Sequence, residues 1–319
     1  MSDKIFDLYT LTLDGRDGLA ADGLGDLDLT DTLECGQAFR YELIRREGGY
    51  AEYLTVVGGR ILNVAQRRRG ELIFFGADEK AVREVALPYF AADLDFSSIR
   101  ADVLERCESE WLAAAADAAR GIVILRQDPW EALFSFIISQ NNNIPRIRKI
   151  IRAISAEYGE NLAEKQGIGC PLCRIDGTPC HEKCKDCGVC YSFPTAAEVL
   201  ARPEGLLPSK PGFRYKYLLD AAERVYDGRT SLKDIAEKRS YAYTLEELKK
   251  ILGVGDKVAS CVALFGFGNL EAFPIDVWMR RAIDDYFDGS LDPATLGPYA
   301  GVAQQYIFHY IRNLEAKEG

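Results

Sequence analysis

Lys257 and Asp276 are the residues of this 319-residue chain whose types and spacing could carry out chemistry on a sugar. They lie in residues 252–281, which read L-G-V-G-D-K-V-A-S-C-V-A-L-F-G-F-G-N-L-E-A-F-P-I-D-V-W-M-R-R. Lys257 stands at a helix start, where the positive end of the helix dipole disfavours a further cation, so its amine is a candidate nucleophile. Cys261 and Leu264 follow at four and seven residues, on the same helical face, which places the thiol beside the lysine's pocket. Asp276 follows Pro274 as the N-cap of the next helix, a position that suits a carboxylate. Taken singly, first-turn lysines are mostly solvated and aspartate caps mostly structural. Together, at this spacing, the amine and carboxylate are equipment for nucleophilic attack on a sugar.

The elements that must hold them follow from the flanking pattern. Thr244 and Glu247 predict a capping box, with Leu245, Leu248 and Ile251 as the apolar stripe of a first helix. Gly253 and Gly255 bracket a turn that needs positive φ or close approach, and a second helix begins near Lys257. The outward N–H groups of that helix start can dock a phosphate without any lysine contact. This is a helix-hairpin-helix pattern, and a noncatalytic DNA-binding protein would need no more than the hairpin.

At this point the chain resembles the helix-hairpin-helix DNA glycosylases, specifically the 8-oxoguanine DNA glycosylase/AP lyases. L-R-Q-D-P-W-E-A-L-F-S-F-I-I-S-Q-N-N-N-I-P-R-I at 125–147 is similar to the first helix of that family's catalytic domain and its asparagine-rich end. C-G-Q-A-F-R at 35–40, G-F-R-Y-K-Y at 212–217 and G-V-A-Q-Q-Y-I-F at 301–308 match further family segments in the same order. The resemblance implies removal of 8-oxoguanine, preferentially opposite cytosine, from duplex DNA in base excision repair. Lys257 would attack C1′ and form a Schiff base, Asp276 would stabilise the cationic sugar, and β-elimination would cut 3′ to the abasic site. No cofactor is required for that catalysis, and the chain is expected to act as a monomer.

Further roles carry over by the same resemblance. An enzyme that works on a stacked base must extrude it and fill the gap. Asn141 would fill that gap, Arg146 and Arg214 would hydrogen-bond the orphaned cytosine, and Phe213 stands where the family has a wedging tyrosine. Gly253 and Gly255 would hold the DNA backbone. The flipped purine would lie between Cys261 and Phe308, with Gln304 reading its pairing edge. Gly36 would offer its carbonyl to N7–H, which guanine lacks, and an unmet buried carbonyl costs ~1–3 kcal/mol. Trp278 replaces the histidine of the animal enzymes, and His181 and His309, the chain's two histidines, match no catalytic position. A sister glycosylase for oxidised pyrimidines or alkylated purines would share Lys257 or Asp276; Gly36, Asn141, Arg146 and Gln304 together favour 8-oxoguanine.

The length and 48% hydrophobic content suffice for one large core or two smaller ones. Alternating runs up to about residue 75, such as F-D-L-Y-T-L-T-L and Y-A-E-Y-L-T-V-V, predict an antiparallel sheet, and helical periods dominate from about 79. The expected fold is α+β: an N-terminal antiparallel β-sheet domain over 1–120, then an all-α helix-hairpin-helix domain over 121–319, with the hairpin motif at 244–265. Asp128 and Pro129 predict the start of a buried helix carrying Trp130, Leu133, Phe134 and Ile137. No apolar run approaches a membrane span, and M-S-D-K-I-F-D lacks a signal-peptide pattern. Nine cysteines without such a signal predict a reducing cytosol, here that of a bacterial cell. The net charge of −10 is unlike a DNA binder, so binding must rest on local patches. Candidates are Arg146, Arg148, Lys149 and Arg152; Lys210, Arg214 and Lys216; and Arg280 with Arg281. Solvated helix faces are the commoner fate of such clusters, and Arg67, Arg68 and Arg69 fit an exposed hairpin.

Residues 165–191 depart from the family pattern. This insert holds Cys170, Cys173, Cys180, His181, Cys184, Cys187 and Cys190. Paired C-x-x-C units in a segment poor in apolar residues suit a tetrahedral metal knuckle, with zinc the first choice and four ligands expected. An iron–sulfur cluster is the second choice, although relatives that carry one use a C-terminal cysteine quartet this chain lacks. A loop of free thiols is the third.

Overall fold

The computed structural model describes residues 6–167 and 189–318. Six antiparallel strands form one sheet: β1 (Asp7–Leu13), β2 (Arg16–Asp22), β3 (Tyr41–Glu47), β4 (Tyr50–Val57), β5 (Arg60–Gln66) and β6 (Leu72–Phe75). Their spatial order is β1-β2-β6-β5-β4-β3. Three of the hairpins turn on two residues each, Asp14–Gly15, Gly48–Gly49 and Gly58–Gly59, and all six residues have positive φ. Such turns match the right-handed twist of the strands they join, and D-G and G-G are the pairs that adopt them most readily. Side chains alternate as the pleat requires. Tyr53, Leu62, Val64, Leu72 and Phe74 enter the main core, while Leu54, Val56, Ile61, Ile73 and Phe75 join smaller clusters.

The helices that build the site are α1 (Leu29–Glu34), α2 (Phe96–Arg106), α3 (Glu110–Ala118), α4 (Pro129–Ser139), α5 (Ile144–Tyr158), α6 (Tyr215–Tyr226), α7 (Tyr241–Leu248), α8 (Asp256–Phe267), α9 (Val277–Tyr286) and α10 (Ala300–Glu318). The main core runs without a break from Ala21 to Tyr306, so residues on both sides of position 120 share it. α3 packs on the C-terminal helices, with Trp111 stacked 4.4 Å from Tyr286 and edge-on to Tyr310. Gln37 joins the two parts of the chain. Its fully buried amide donates to Thr32 O at 2.9 Å and Val123 O at 2.8 Å, and accepts from Leu125 N at 2.9 Å. That one side chain fixes the C-G-Q-A-F-R turn against the strand-like segment leading into α4. A part-buried ion pair, Arg40 to Glu131 at 2.9 Å, adds a second tie between the same parts, and desolvation raises the Glu131 carboxyl above its usual range.

The ends of the cysteine-rich segment are anchored on the sheet. Asn161 and Tyr191 form a β-bridge, Ile61 N donates to Gln166 Oε1 at 3.0 Å, and Arg40 donates to Tyr191 O. Leu162, Ala163, Val189 and Cys190 cover Leu54, Val56 and Ile61. Cys170, Cys173, Cys180, His181, Cys184 and Cys187 lie outside the described residues. Cys190 is buried within that apolar cluster, and among the described residues no group of three or more histidine, cysteine or acidic side chains is placed to hold a metal. No described helix is long and apolar enough to cross a membrane.

Two sequence expectations need correction here. The capping box at Thr244 and Glu247 does not form: α7 starts one turn earlier, capped by Ser240, whose hydroxyl accepts from Tyr243 N. Thr244 is buried inside the helix and returns its hydroxyl proton to Ser240 O at 2.9 Å. A β-branched threonine can bond back to the preceding turn in this way, which makes it a poor cap once a serine four residues earlier has taken the role. The basic cluster on α5 is also divided. Arg148 and Arg152 turn to Glu42 and the carbonyl of Tyr41 on β3, docking the helix on the sheet, whereas Arg146 and Lys149 are exposed.

Candidate active site

The hairpin between α7 and α8 is built on close approach. Gly253 has φ +77°, and a Cβ there would lie 2.5 Å from the Tyr217 ring on α6. Only glycine fits both demands. Gly255 is the N-cap of α8 with open space around it. Asp256 opens the first turn, where a phosphate would otherwise meet a carboxylate, but Lys249 holds that carboxylate at 2.8 Å. Leu252, half exposed, and Phe213, half exposed, flank the hairpin, and Phe213 packs edge-on to Tyr217 at 6.0 Å. The hairpin and the proposed wedge thus share Tyr217 as a common support.

In the first turn of α8, Lys257 reaches towards α4. Its Nζ lies 3.4 Å from Ser139 Oγ and 5.7 Å from the centre of the Phe136 ring. Ser139 spends its own proton on Phe136 O at 2.8 Å, so its oxygen is available to accept from the amine. Cys261 lies beside it, buried, and burial pushes its thiol up while the adjacent Lys257 opposes that shift. The close passage of α8 and α4 is set by Gly266, where a Cβ would sit 3.1 Å from Ala132 and 3.2 Å from Pro129. Asp276 caps α9: its Oδ1 accepts from Trp278 N at 3.0 Å and Met279 N at 2.9 Å. Both bonds fall on Oδ1, so the second oxygen is not needed for the cap.

Lys257, Asp276, Cys261, Gly36, Gln304 and Phe308 line one pocket. They come from four separate stretches of chain, and all six are residues singled out from the sequence. Phe136, Phe265, Pro274 and Gln305 complete the lining. Gly36 has φ +97°, and a Cβ there would press on Ile144 at 3.1 Å, so the backbone itself forms that wall. The free volume is about 50 Å³, far below the ~300 Å³ of ordinary ligand sites, so the lining must open to admit a purine. A larger cavity of about 330 Å³ lies elsewhere, between the sheet and α4 around Arg40 and Glu131, and contains none of the candidate catalytic residues.

The asparagine-rich turn after α4 is a built feature. Asn141 takes a left-handed φ of +48°, which asparagine tolerates better than most residues. Asn142 donates to Ile138 O at 3.1 Å, and Asn143 caps α5 by accepting from Arg146 N at 3.0 Å. Asn141 and Arg146 are exposed. Arg214 is not: it is 2% exposed and donates to the carbonyls of Gln140, Asn141 and Pro211. The turn leaves these carbonyls pointing inward, and the guanidinium satisfies them. Burial, helped by nearby Arg146, lowers the Arg214 pKa. In this structure Arg214 supports the turn that displays Asn141. Lys210, Lys216, Arg280 and Arg281 are exposed; Arg67, Arg68 and Arg69 are exposed too and pair with acidic neighbours.

Comparison with known proteins shows what the chain is similar to. Residues 23–133 match the family model for the N-terminal domain of 8-oxoguanine DNA glycosylase. An N-glycosylase/DNA lyase of Saccharomyces cerevisiae is 28% identical over 289 residues, covering 83% of this chain and 69% of its own. The structure of MBOgg1 bound to a low-affinity DNA ligand superposes with a TM-score of 0.79 at 30% identity, covering 98% of this chain and 99% of that one. The 8-oxoguanine glycosylase/lyase of Clostridium acetobutylicum, solved with double-stranded DNA carrying cytosine opposite 8-oxoguanine, gives 0.78 at 29% identity over 99% and 100% of the two chains. A 3-methyladenine DNA glycosylase of Archaeoglobus fulgidus shares the fold alone, with a TM-score of 0.64 at 15% identity.

Proposed function

This chain belongs to the 8-oxoguanine DNA glycosylase/lyase family, and on that premise we propose how its own residues remove the lesion and cut the strand. The enzyme is a bifunctional DNA glycosylase/AP lyase acting on 8-oxoguanine. One observation carries the assignment of roles: the lysine amine, the capping carboxylate and the four lesion-reading residues meet in a single pocket. Lys257 attacks C1′ of the flipped nucleotide as the bond to the base breaks, the base leaving with the bonding pair and taking a proton from the amine. The C1′–O4′ bond then opens, O4′ is protonated, and the nitrogen lone pair forms the C=N bond of the Schiff base. Asp276 holds the positive charge that develops on the sugar. Removal of a C2′ proton then expels the 3′ phosphate, and hydrolysis of the imine frees the lysine.

Ser139 orients the amine, and Phe136 closes the apolar side of the pocket. Phe308 and Cys261 receive the faces of the purine, Gln304 reads its pairing edge, and the Gly36 carbonyl accepts N7–H. Asn141 fills the gap in the duplex, while Arg146 reads the cytosine left behind. The hairpin at Gly253 and Gly255 holds the backbone. The reading is tested by a panel of duplexes carrying 8-oxoguanine, an oxidised pyrimidine or an alkylated purine. Cleavage confined to 8-oxoguanine supports it, and preference for one of the others would move the chain to a sister specificity.

The exposed Arg146 supports a specific expectation. Arg146→Met should remove ~1–3 kcal/mol of the preference for cytosine over adenine opposite the lesion. Cleavage ratios measured on matched duplexes check this, and an unchanged ratio would place orphan-base reading elsewhere.

Zinc in the insert rests on the C-x-x-C spacing. The candidate ligands are the segment's six cysteines and His181. Metal analysis of purified protein should find about one tightly held zinc per chain; metal-free protein with full protease resistance of the segment would remove the idea. The chain is further proposed to work as a monomer on duplex DNA in a bacterial cytosol.

A further inference from the structure

Helix α10 sets two glutamines side by side against the lesion pocket, and the roles above use one of them. Gln305 is 4% exposed, lines the pocket next to Gln304, and donates its amide N–H to Gln304 Oε1 at 2.8 Å. Its own Oε1 is buried and has no hydrogen-bond partner. Of the pocket-lining residues, Gln305 is the one that carries such an atom. Buried carbonyl oxygens are seldom left in this condition without a reason.

In this arrangement Gln305 is the donor of the bond between the two amides and Gln304 the acceptor. Gln305 Nε2 occupies one lone pair of Gln304 Oε1 and leaves the other, and both lone pairs of Gln305 Oε1 remain. The pair therefore offers two neighbouring acceptors. A guanine-type pairing edge offers two neighbouring donors, N1–H and the exocyclic N2–H. An adenine-type edge offers an acceptor at N1 and would meet an acceptor there. We propose that Gln305 is a second specificity-determining residue: its Oε1 accepts from the 2-amino group of the flipped 8-oxopurine, while its Nε2 holds Gln304 in the reading orientation. The proposal rests on the 8-oxoguanine reading given above.

The test compares excision of 8-oxoguanine with that of 8-oxohypoxanthine, which lacks the 2-amino group, both opposite cytosine under single-turnover conditions. The wild-type chain should favour 8-oxoguanine by about tenfold or more, because a site built to bond a polar group discriminates against the analogue without it. Gln305→Met, close in shape but without an acceptor, should bring the ratio to within about twofold. The ratio is taken within each variant, so a loss of folded protein does not disguise the result. A wild-type ratio in Gln305→Met would overturn the proposal. Failure of the wild-type chain to excise either lesion would instead overturn the 8-oxoguanine reading on which it stands.

Discussion

Lys257→Gln is expected to lower strand cleavage at 8-oxoguanine by roughly 10³-fold or more, the scale seen when a nucleophile is deleted. Glutamine keeps a polar end that can still face Ser139 and the Phe136 ring, where the lysine now sits at 3.4 Å and 5.7 Å. It has no amine to form an imine. Binding of the damaged duplex should survive, because the hairpin, the Asn141 turn and the exposed basic residues are untouched. Single-turnover cleavage and a fluorescence binding titration, run on the same protein, separate the two effects. Cleavage within about tenfold of wild type would be incompatible with this lysine as nucleophile.

Asp276 does two jobs that a pair of substitutions can separate. Asparagine caps helices about as well as aspartate and can accept from Trp278 N and Met279 N as the carboxylate does, so Asp276→Asn should leave stability within about 0.5 kcal/mol. It removes the charge facing the sugar, and the single-turnover rate should fall by about 10²–10³, the scale of losing one preorganised electrostatic contact. Asp276→Ala should add a loss of about 1 kcal/mol in stability from the missing cap. A fully active Asn variant would reduce Asp276 to a cap alone.

What could be read from the sequence was mostly local. The Asp276 and Asp128 caps and the glycine hairpin each depend on a few adjacent residues, and each stands where the spacing predicts. The six-stranded sheet followed by helices also matches the alternation of the first 75 residues and the helical periods after 79. β6 between β2 and β5 was not legible, since that pairing is set by packing across the sheet. Ser240 and Thr244 are both good capping types, and the choice between them fell to burial of the threonine. The fates of Arg148, Arg152 and Arg214 were hidden for the same reason: Glu42, Tyr41 and Gln140 are distant in sequence and become neighbours only in the fold.

Two further residues, one beside the lysine amine and one in the pocket wall, carry a signal in the sequence. Ser139 ends the helix that begins at Asp128 and precedes the asparagines, on the side that α8 must approach. Gln305 stands next to Gln304 in an otherwise apolar stretch, G-V-A-Q-Q-Y-I-F, where a second buried amide has no reason in packing. The metal question could be framed by spacing but not resolved, because six of its seven candidate ligands lie outside the described residues.

The central claim is that the Lys257 amine becomes covalently attached to the sugar. Borohydride reduction during turnover on an 8-oxoguanine duplex, followed by digestion and mass spectrometry, locates the attachment directly. The account predicts a single DNA adduct on the peptide containing Lys257. An adduct on another amine, or excision of the base with no trapped complex at all, would contradict it.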